Sequence, residues 1–412
     1  MQRRTFLQSL SATVLAAAAA PLPAFAALPR MKITRVRAYL PPNPNPLFNQ
    51  SDVVVTVETD AGITGIGEGG SKDTLAQSAG RLIGRDPQYI ERLWQDMNRA
   101  FFYPAGREKT DAIGALDVAL WDIRGKVLGL PVHQVLGGMV RNYCECYNTA
   151  GSIPGVTAET PIRERARLTM EAGYRAFRFG AGDLPANTTY NTRERVTHLH
   201  DQCAEAREGV GRDGEWCIDF HQRFDLPDAV RGCNAIEDLA PLFVEDPVRT
   251  EAFLQDLPIL RTKVNVPIAA GEEWGNRWDF NALVEHHDID FVRATLPNVG
   301  GITEMLKIAA LCETHFVGII PHFTGPIATA ALVNCLGTFS GPVLMEYNYQ
   351  GRTFPYLPVC LDFKSGKLYP NDRPGLGVEL DLKPLTQIAE IAEPVTARAQ
   401  TYFRPDGSIT NW

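Results

Sequence analysis

The sequence predicts an α/β protein, a (β/α)8-type barrel with an α+β N-terminal capping domain that the C-terminal tail completes. Two patterns support this fold class. From about residue 141, short apolar segments of strand length alternate with helical segments, and a β-rich stretch followed by helical periodicity precedes them. Eight strand–helix units over roughly 200 residues are typical of a closed parallel barrel. The 412 residues suffice for such a barrel and one smaller domain.

The predicted barrel strands are short apolar runs, several of which end in a charged or polar residue. They are residues 143–149, 175–180, 216–220, 242–245, 268–270, 291–294, 317–320 and 343–346. Helical periodicity separates them, most clearly at residues 163–172, 193–208, 302–313 and 327–336. A doubly wound open sheet is the alternative architecture, but no glycine-rich phosphate loop follows the first strand. The pattern therefore favours the barrel.

The capping domain is predicted at residues 31–140, before the barrel at residues 141–360. A strand at residues 53–59, a turn at 60–62 and a return strand at 63–68 give its β part. Helical periodicity follows over residues 74–128, and Gly129 and Pro131 end its clearest helix. The segment 361–412 is turn-rich, and we expect it to return to the capping domain.

Residues 1–26 have the pattern of an export signal. Arg3 and Arg4 precede an apolar run at residues 10–20, and Ala24-Phe25-Ala26 offers small residues for cleavage. This predicts a twin-arginine signal peptide and a periplasmic mature protein, with an uncleaved N-terminal anchor as the alternative. The apolar run is short for a membrane span, and we expect no membrane association after cleavage.

Composition excludes some functions. The formal net charge is -8, so the sequence has no basic footprint for nucleic acid. An acidic enzyme can still bind an anionic substrate where a metal ion and a few arginines dominate the local field. The eight cysteines are scattered without the spacing of a zinc site, which favours small buried side chains over a disulfide framework.

Acidic residues stand at the ends of three successive predicted strands. Asp219, Glu245 and Glu272 are 26 and 27 residues apart, about one strand–helix unit each. A single acidic residue at such a place is often a helix cap or a solvated charge, but three in register meet at one end of the barrel. Three carboxylates so close repel one another unless a cation binds them. Oxygen ligands with room for water and substrate favour Mg²⁺, one ion per subunit.

Groups suited to proton transfer surround this predicted metal site. His221 lies two residues beyond Asp219, so strand alternation would point both side chains into the barrel mouth. His322 follows the seventh predicted strand, and Glu346 ends the eighth. A lone histidine is usually structural, whereas two around a metal site indicate acid–base chemistry.

Residues from about 31 to the C-terminus resemble the enolase superfamily, most closely its mannonate dehydratase-like branch. Asp219-Phe220-His221 is similar to the Asp-x-His strand of that branch, and the sixth strand with the following Gly300-Gly301 is similar to its sixth-strand segment. The spacing of Arg178 and Tyr190 matches its Arg–Tyr pair, and the C-terminal Asn411-Trp412 resembles its closing segment, which folds back over the site.

The resemblance implies a homo-oligomeric, Mg²⁺-dependent hydro-lyase that converts a sugar acid to a 2-keto-3-deoxy acid through an enediolate. Tyr190 would remove the C2 proton, Arg178 would lower the pKa of Tyr190, and His221 would protonate the departing C3 hydroxyl. The remaining site residues would bind and orient the substrate: Arg293, His322, Glu346, Asn148 and Trp412. Alternatively, Tyr190 is a loop aromatic and Trp412 a terminal anchor.

Two departures from related patterns narrow the expected chemistry. The second strand, Arg175-Ala176-Phe177-Arg178-Phe179, lacks the Lys-x-Lys that racemases of the superfamily use as a base, which argues against racemisation. Thr295 stands where galactonate dehydratase-like members carry the Asp that pairs with the seventh-strand histidine, so the base role moves from His322 to Tyr190. Alternatives that remain are an epimerase or cycloisomerase, and a periplasmic sugar-acid binder without turnover.

Overall fold

The computed structural model describes residues 28–44, 51–100, 103, 106–157, 159–181, 189, 191–395 and 401–410. The predicted signal peptide at residues 1–26 lies outside them. Residues from Met31 onwards form one compact unit, to which the following account refers. No helix of the described residues is both long enough and apolar enough to cross a bilayer.

The strands, in chain order, are β1 Ile33–Leu40, β2 Val54–Thr59, β3 Thr64–Glu68, β4 Cys144–Thr149, β5 Ala176–Gly180, β6 Glu215–Asp219, β7 Val244–Glu245, β8 Ile268–Ala270, β9 Phe291–Val292, β10 Gly318–Ile319, β11 Met345–Glu346, β12 Asp362–Lys364, β13 Lys367–Tyr369, β14 Thr386–Ile391, β15 Tyr402–Phe403 and β16 Ile409–Thr410.

The α-helices are α1 Lys72–Ala79, α2 Ile90–Arg99, α3 Arg107–Leu128, α4 Val132–Val135, α5 Ile162–Glu171, α6 Thr192–Val210, α7 Leu226–Ala235, α8 Phe253–Arg261, α9 Arg277–Glu285, α10 Ile302–Thr314 and α11 Pro326–Leu336. Among the described residues, two short 3₁₀ helices flank β7: Glu237–Leu239 precedes it and Thr250–Ala252 follows it.

The capping domain is an antiparallel sheet covered by helices. Its strand order is β14-β1-β2-β3, so a strand from the C-terminal segment pairs with the first strand of the chain. The central valines of β1 and β2 are buried against α3, whose middle turns are also buried. The C-terminal segment thus supplies the edge strand of the capping sheet.

Strand β3 lies unusually close to α3 because two of its residues are glycines. A Cβ atom at Gly67 would lie 1.9 Å from the carbonyl oxygen of Ala115, and one at Gly65 would lie 2.1 Å from that of Ala119. No side chain fits between these backbones.

We expect Gly67→Ala to lower the free energy of unfolding by about 1–3 kcal/mol or more, because the added methyl forces β3 and α3 apart. The matched control is Gly106→Ala, since the one described atom within 4 Å of a Cβ there is the tip of the Glu108 side chain, at 3.4 Å. Urea unfolding of both variants provides the measurement. Equal stabilities of the two variants would contradict the packing argument.

Eight parallel strands close the second domain into a barrel. Strands β4 to β10 pair in sequence order, β11 pairs with β4, and a bridge between Ile319 and Val343 joins β10 to the segment that leads into β11. The predicted α/β fold class with an N-terminal capping domain is therefore confirmed. Each barrel strand overlaps its predicted segment, although the last five of the observed strands are only two or three residues long.

The hairpin β12–β13 pairs with the start of β4, so part of the C-terminal segment lies against the barrel before the chain reaches the capping sheet. All eight cysteines lie within the described residues, and none forms a disulfide there. Seven of them are buried, as small apolar side chains would be.

Candidate active site

Three carboxylates meet at the carboxyl end of the barrel because neighbouring strands end there. Asp219 pairs in register with Glu245 at the ends of β6 and β7, and Glu272 lies in the turn after β8. The side chains of Asp219 and Glu245 have no exposed surface, and that of Glu272 is 13% exposed. The structure thus brings the three predicted residues to one end of the barrel.

Arg178, on β5, points into the barrel and binds two of these carboxylates. Its Nε donates to Oε2 of Glu245 at 2.7 Å, and its Nη2 donates to Oε1 of the same residue at 2.9 Å. Nη2 also contacts Asp219, and Nη1 lies 3.4 Å from Oε1 of Glu346. The guanidinium therefore neutralises part of the negative charge in the cluster.

Arg293 and Glu346 form a buried ion pair beneath the cluster. Nη2 of Arg293 lies 3.0 Å from Oε2 of Glu346 and 2.5 Å from Oε1 of Glu245. Glu346 also accepts hydrogen bonds from Tyr147, Thr149 and the backbone N–H of Phe323. Neither side chain of the pair has solvent-exposed surface. The pair therefore contacts Glu245 from within the barrel, and the contact of both residues with substrate stays a prediction.

The cluster carries more carboxylates than its two arginines neutralise. Burial is the main cause that raises the pKa of Glu245 to about 8, and repulsion by Asp219 and Glu272 adds to it against the two arginines. Burial also raises the pKa of Glu272 and of Asp246. A divalent cation would relieve this repulsion, because it favours the ionised form of each carboxylate.

A metal ion fits the donor set. One oxygen each of Glu245, Asp246 and Glu272 lie within 4.8 Å of one another, a spacing that one ion can bridge. Asp219, predicted as a ligand, is turned towards Arg178 and His221. Asp246 accepts hydrogen bonds from the backbone N–H of Gly271 and the side chain of Gln222, both at 3.2 Å. These hard oxygen donors are the type that Mg²⁺ prefers.

His221 reaches the site from a turn rather than from the strand. Strand β6 ends at Asp219, and His221 has a left-handed backbone with φ 49. Its Nε2 lies 2.6 Å from Oδ2 of Asp219, and its backbone N–H donates to Oδ1 at 2.6 Å. The bond to Asp219 raises the pKa of His221, and the ring stays 39% exposed. An accessible imidazole with a raised pKa is suited to act as a general acid.

His322 has the opposite environment. It is buried, its Nε2 lies 3.4 Å from Oε2 of Glu272, and burial lowers its pKa to about 4. Thr295, which stands where related enzymes carry an Asp partner for this histidine, donates its hydroxyl hydrogen to the backbone carbonyl of Glu272 at 2.9 Å. His322 is therefore neutral near pH 7, and its conjugate acid is stronger than that of a free histidine, which makes it a weak base.

Asn148 lies on the face of β4 that points away from the cluster, and its contact with substrate stays a prediction. Its amide nitrogen donates to the carbonyls of Ser152 and Tyr347. The residues on either side of it, Tyr147 and Thr149, both contact Glu346, and alternation along β4 places Asn148 on the other face. The remaining two predicted site residues, Tyr190 and Trp412, lie outside the described residues.

Sequence reasoning missed three residues of this cluster: Tyr147, Thr149 and Asp246. The two on β4 could have been found from the alternation of the strand, had its inward face been identified. Asp246 directly follows Glu245 in the sequence, which could have marked it as a further carboxylate of the cluster. All three lie among the charged side chains of the cluster.

A cavity of about 680 Å³ opens beside this network. Pro41, Pro44 and Asp52 of the capping domain line one side, and Phe323 and Arg352 from the loops after β10 and β11 line another. The capping domain therefore contributes to the surroundings of the barrel mouth. Prolines and aromatic rings line much of this partly enclosed space, together with a few polar side chains.

The chain matches two family models along most of its length. Residues 45–137 match the N-terminal domain of the mandelate racemase / muconate lactonizing enzymes, and residues 161–384 match the enolase C-terminal domain-like family. These segments correspond to the capping domain and the barrel described above.

Named relatives cover nearly the whole chain. A D-galactonate dehydratase of Xanthomonas oryzae pv. oryzae is 36% identical over 399 residues, which span 93% of this chain and all of the relative. One from Pectobacterium atrosepticum is 35% identical over 398 residues with the same coverage. These names belong to dehydratases of a sugar acid, although of galactonate and not of mannonate.

Solved structures share the fold. A member of the enolase superfamily from Salmonella Typhimurium superimposes with a TM-score of 0.78 at 26% identity, covering 88% of this chain and 100% of that one. A mandelate racemase/muconate lactonizing enzyme from Jannaschia sp. CCS1 gives 0.77 at 25% identity, covering 86% and 96%.

Proposed function

The chain belongs to the enolase superfamily, and from this premise we propose that it is a hydro-lyase acting on a sugar acid. The proposed reaction removes water from C2 and C3 of an aldonate or uronate-derived acid and leaves a 2-keto-3-deoxy acid. The observation that supports it most is the carboxylate cluster at the barrel mouth, with the accessible, hydrogen-bonded His221 beside it. The names of the relatives support an aldonate as substrate.

Asp219, Glu245 and Glu272 are the residues that we propose to hold Mg²⁺. When bound, Mg²⁺ would act as a Lewis acid that stabilises negative charge on the substrate as its C2 proton leaves. Asp246 is a further candidate ligand, because one of its oxygens lies within 4.8 Å of those of Glu245 and Glu272. Arg293 and Glu346, fixed to each other below, would hold Glu245 and Glu272 in place.

The proton transfers in this proposal require two groups. Tyr190 would take the proton from C2, and a positive charge from Arg178 nearby would lower the pKa of Tyr190. The electron pair released at C2 is first held as an enediolate of the substrate's carboxylate group, and its return forms the C2–C3 double bond as the C3–O bond breaks. His221 donates its proton to the leaving hydroxyl, so that water departs. The resulting enol takes a proton at C3 and loses the proton of its C2 hydroxyl, which gives the 2-keto-3-deoxy acid.

The test is a substrate panel. The purified protein with Mg²⁺ is incubated with a series of aldonates and uronates, and semicarbazide detects any 2-keto-3-deoxy product. We expect product from at least one aldonate, and loss of that product after EDTA treatment with recovery on adding Mg²⁺. If every acid is epimerised or cyclised and none dehydrated, the chain is an isomerase instead. Binding without any turnover would identify it as a non-catalytic sugar-acid binder.

A further inference from the structure

Glu68 is a carboxylate of the capping domain that reaches a helix of the barrel. It is fully buried at the end of β3, and its Oε2 accepts a hydrogen bond from the backbone N–H of Ala328 at 2.9 Å. Ala328 lies in the first turn of α11, where backbone N–H groups have no partner within the helix. Glu68, a residue of the capping domain, thus accepts a hydrogen bond from the N-terminal end of the helix that follows β10 in the barrel.

The contact leaves no free space at Gly325, the residue just before this helix. A Cβ atom at Gly325 would lie 2.2 Å from the carboxyl carbon of Glu68 and 2.3 Å from both of its oxygens. The φ of Gly325 is -61, which any residue can adopt. Glycine is therefore required there for space alone, and the loop before α11 lies directly against Glu68.

This loop joins Glu68 to the candidate active site. Phe323 donates its backbone N–H to Oε2 of Glu346 at 3.1 Å, and its ring packs on that of His322 with centroids 4.5 Å apart. The hydroxyl of Tyr349 donates to the carbonyl of Thr324. A displacement at residue 325 would therefore move both the His322 ring and a partner of Glu346.

We propose that Glu68 is a positioning residue of the active site, which holds the start of α11 and so fixes residues 322–325 at the barrel mouth. The contacts described above support the holding of this loop by Glu68, and the effect on catalysis rests on the proposed dehydratase function. A second buried carboxylate of the capping domain contacts a different helix of the barrel. It serves as a control that separates the proposed role of Glu68 from a general contact between the domains.

That second carboxylate is Asp117, on α3. Its Oδ2 accepts the backbone N–H of Thr303 at 3.0 Å and its Oδ1 accepts the hydroxyl at 2.5 Å, in the first turn of α10. Helix α10 follows β9 and is separate from the loop at residues 322–325. Asp117 thus makes the same kind of contact between the domains without touching that loop.

Glutamine is the conservative replacement for Glu68. The group is buried beside Asp52 and Asp111 of the capping domain and near Tyr349, Tyr356 and Cys360 of the barrel. Burial raises the pKa of Glu68 to about 8, so the carboxyl is mostly neutral at pH 7. Glu68→Gln keeps an oxygen acceptor of the same length and adds no charge at that pH.

The first measurement is amide hydrogen exchange at pH 7 on the full chain without substrate. Glu68→Ala should accelerate exchange of residues 323–328 by about tenfold or more, and Glu68→Gln should leave it near the wild-type rate. The control Asp117→Ala should accelerate residues 302–304 and leave 323–328 unchanged. Unchanged exchange in Glu68→Ala, or equal acceleration of both regions in both alanine variants, would overturn the positional role.

A second variant approaches the same contact from the loop and serves if Glu68→Ala does not fold. Gly325→Ala places a methyl against the carboxyl group and should accelerate exchange of residues 323–328 in the same way. Wild-type exchange in Gly325→Ala would overturn the proposal. Neither measurement uses a substrate, so this result is independent of whether the dehydratase function is correct.

The catalytic consequence is measured with the substrate that the panel identifies. We expect Glu68→Ala to lower kcat by about 100-fold while KM changes little, because misplacement of groups in the site affects the reacting geometry. Glu68→Gln should restore most of the lost kcat. A wild-type kcat in Glu68→Ala would show that Glu68 holds the loop without a role in the reaction, and would overturn the proposal.

Discussion

His221→Asn is expected to abolish loss of water while the exchange of the substrate's C2 hydrogen with solvent continues. His221 is the exposed histidine of the site, and its bond to Asp219 raises its pKa, which favours the protonated form that a general acid requires. Removal of a general acid typically slows a reaction by about 10²–10⁴-fold. Formation of the 2-keto-3-deoxy acid measures the first effect, and NMR in D₂O measures the second.

The matched control for this variant is His200→Asn. His200 is another partly exposed histidine beside a carboxylate, Asp238, but it lies on α6. We expect wild-type turnover from this control. Because His221 touches a proposed metal ligand, calorimetric titration with Mg²⁺ should accompany the assay. If His221→Asn still dehydrates the substrate at a wild-type rate with Mg²⁺ bound, His221 is not the acid.

Tyr190→Phe is expected to stop exchange at C2, and with it all turnover, by a factor of at least about 10². His322 is the competing base, but burial lowers its pKa to about 4, which makes it a poor acceptor for a proton from carbon. A tyrosinate is a much stronger base. The measurement is the loss of the C2 hydrogen signal in D₂O, in Tyr190→Phe and in His322→Asn.

The two variants separate the assignments. We expect His322→Asn to keep measurable C2 exchange, since His322 lies beside Glu272 and is not the proposed base. The opposite outcome, with exchange retained in Tyr190→Phe and lost in His322→Asn, would move the base to the seventh strand. Magnesium binding should survive in Tyr190→Phe, which confirms that its metal site is intact.

Much of the fold could be predicted because apolar runs mark the barrel strands directly. The run ending at Asp219 and the run ending at Glu245 each bury their apolar side chains, and their acidic ends had to meet once the strands were parallel neighbours. These predictions depend only on local pattern and strand order.

The partners of the long charged side chains could not be predicted in the same way. Sequence periodicity shows which face Arg293 lies on, but not that its guanidinium spans from Glu245 to Glu346 with no exposed surface. On β4, both faces are largely buried, so the pattern does not show whether Asn148 or its neighbours point inward. A shift of one residue exchanges the two faces, so the pattern alone could not place Asn148.

The most direct test of the central claim is NMR of the wild-type protein with Mg²⁺ and the preferred aldonate in D₂O. The account predicts a 2-keto-3-deoxy acid that carries one solvent deuterium at C3, because the enol formed by loss of water takes its last proton from solvent. The product should not form when EDTA removes the metal. Recovery of every acid tested with its C2 hydrogen retained and no water lost would contradict the account.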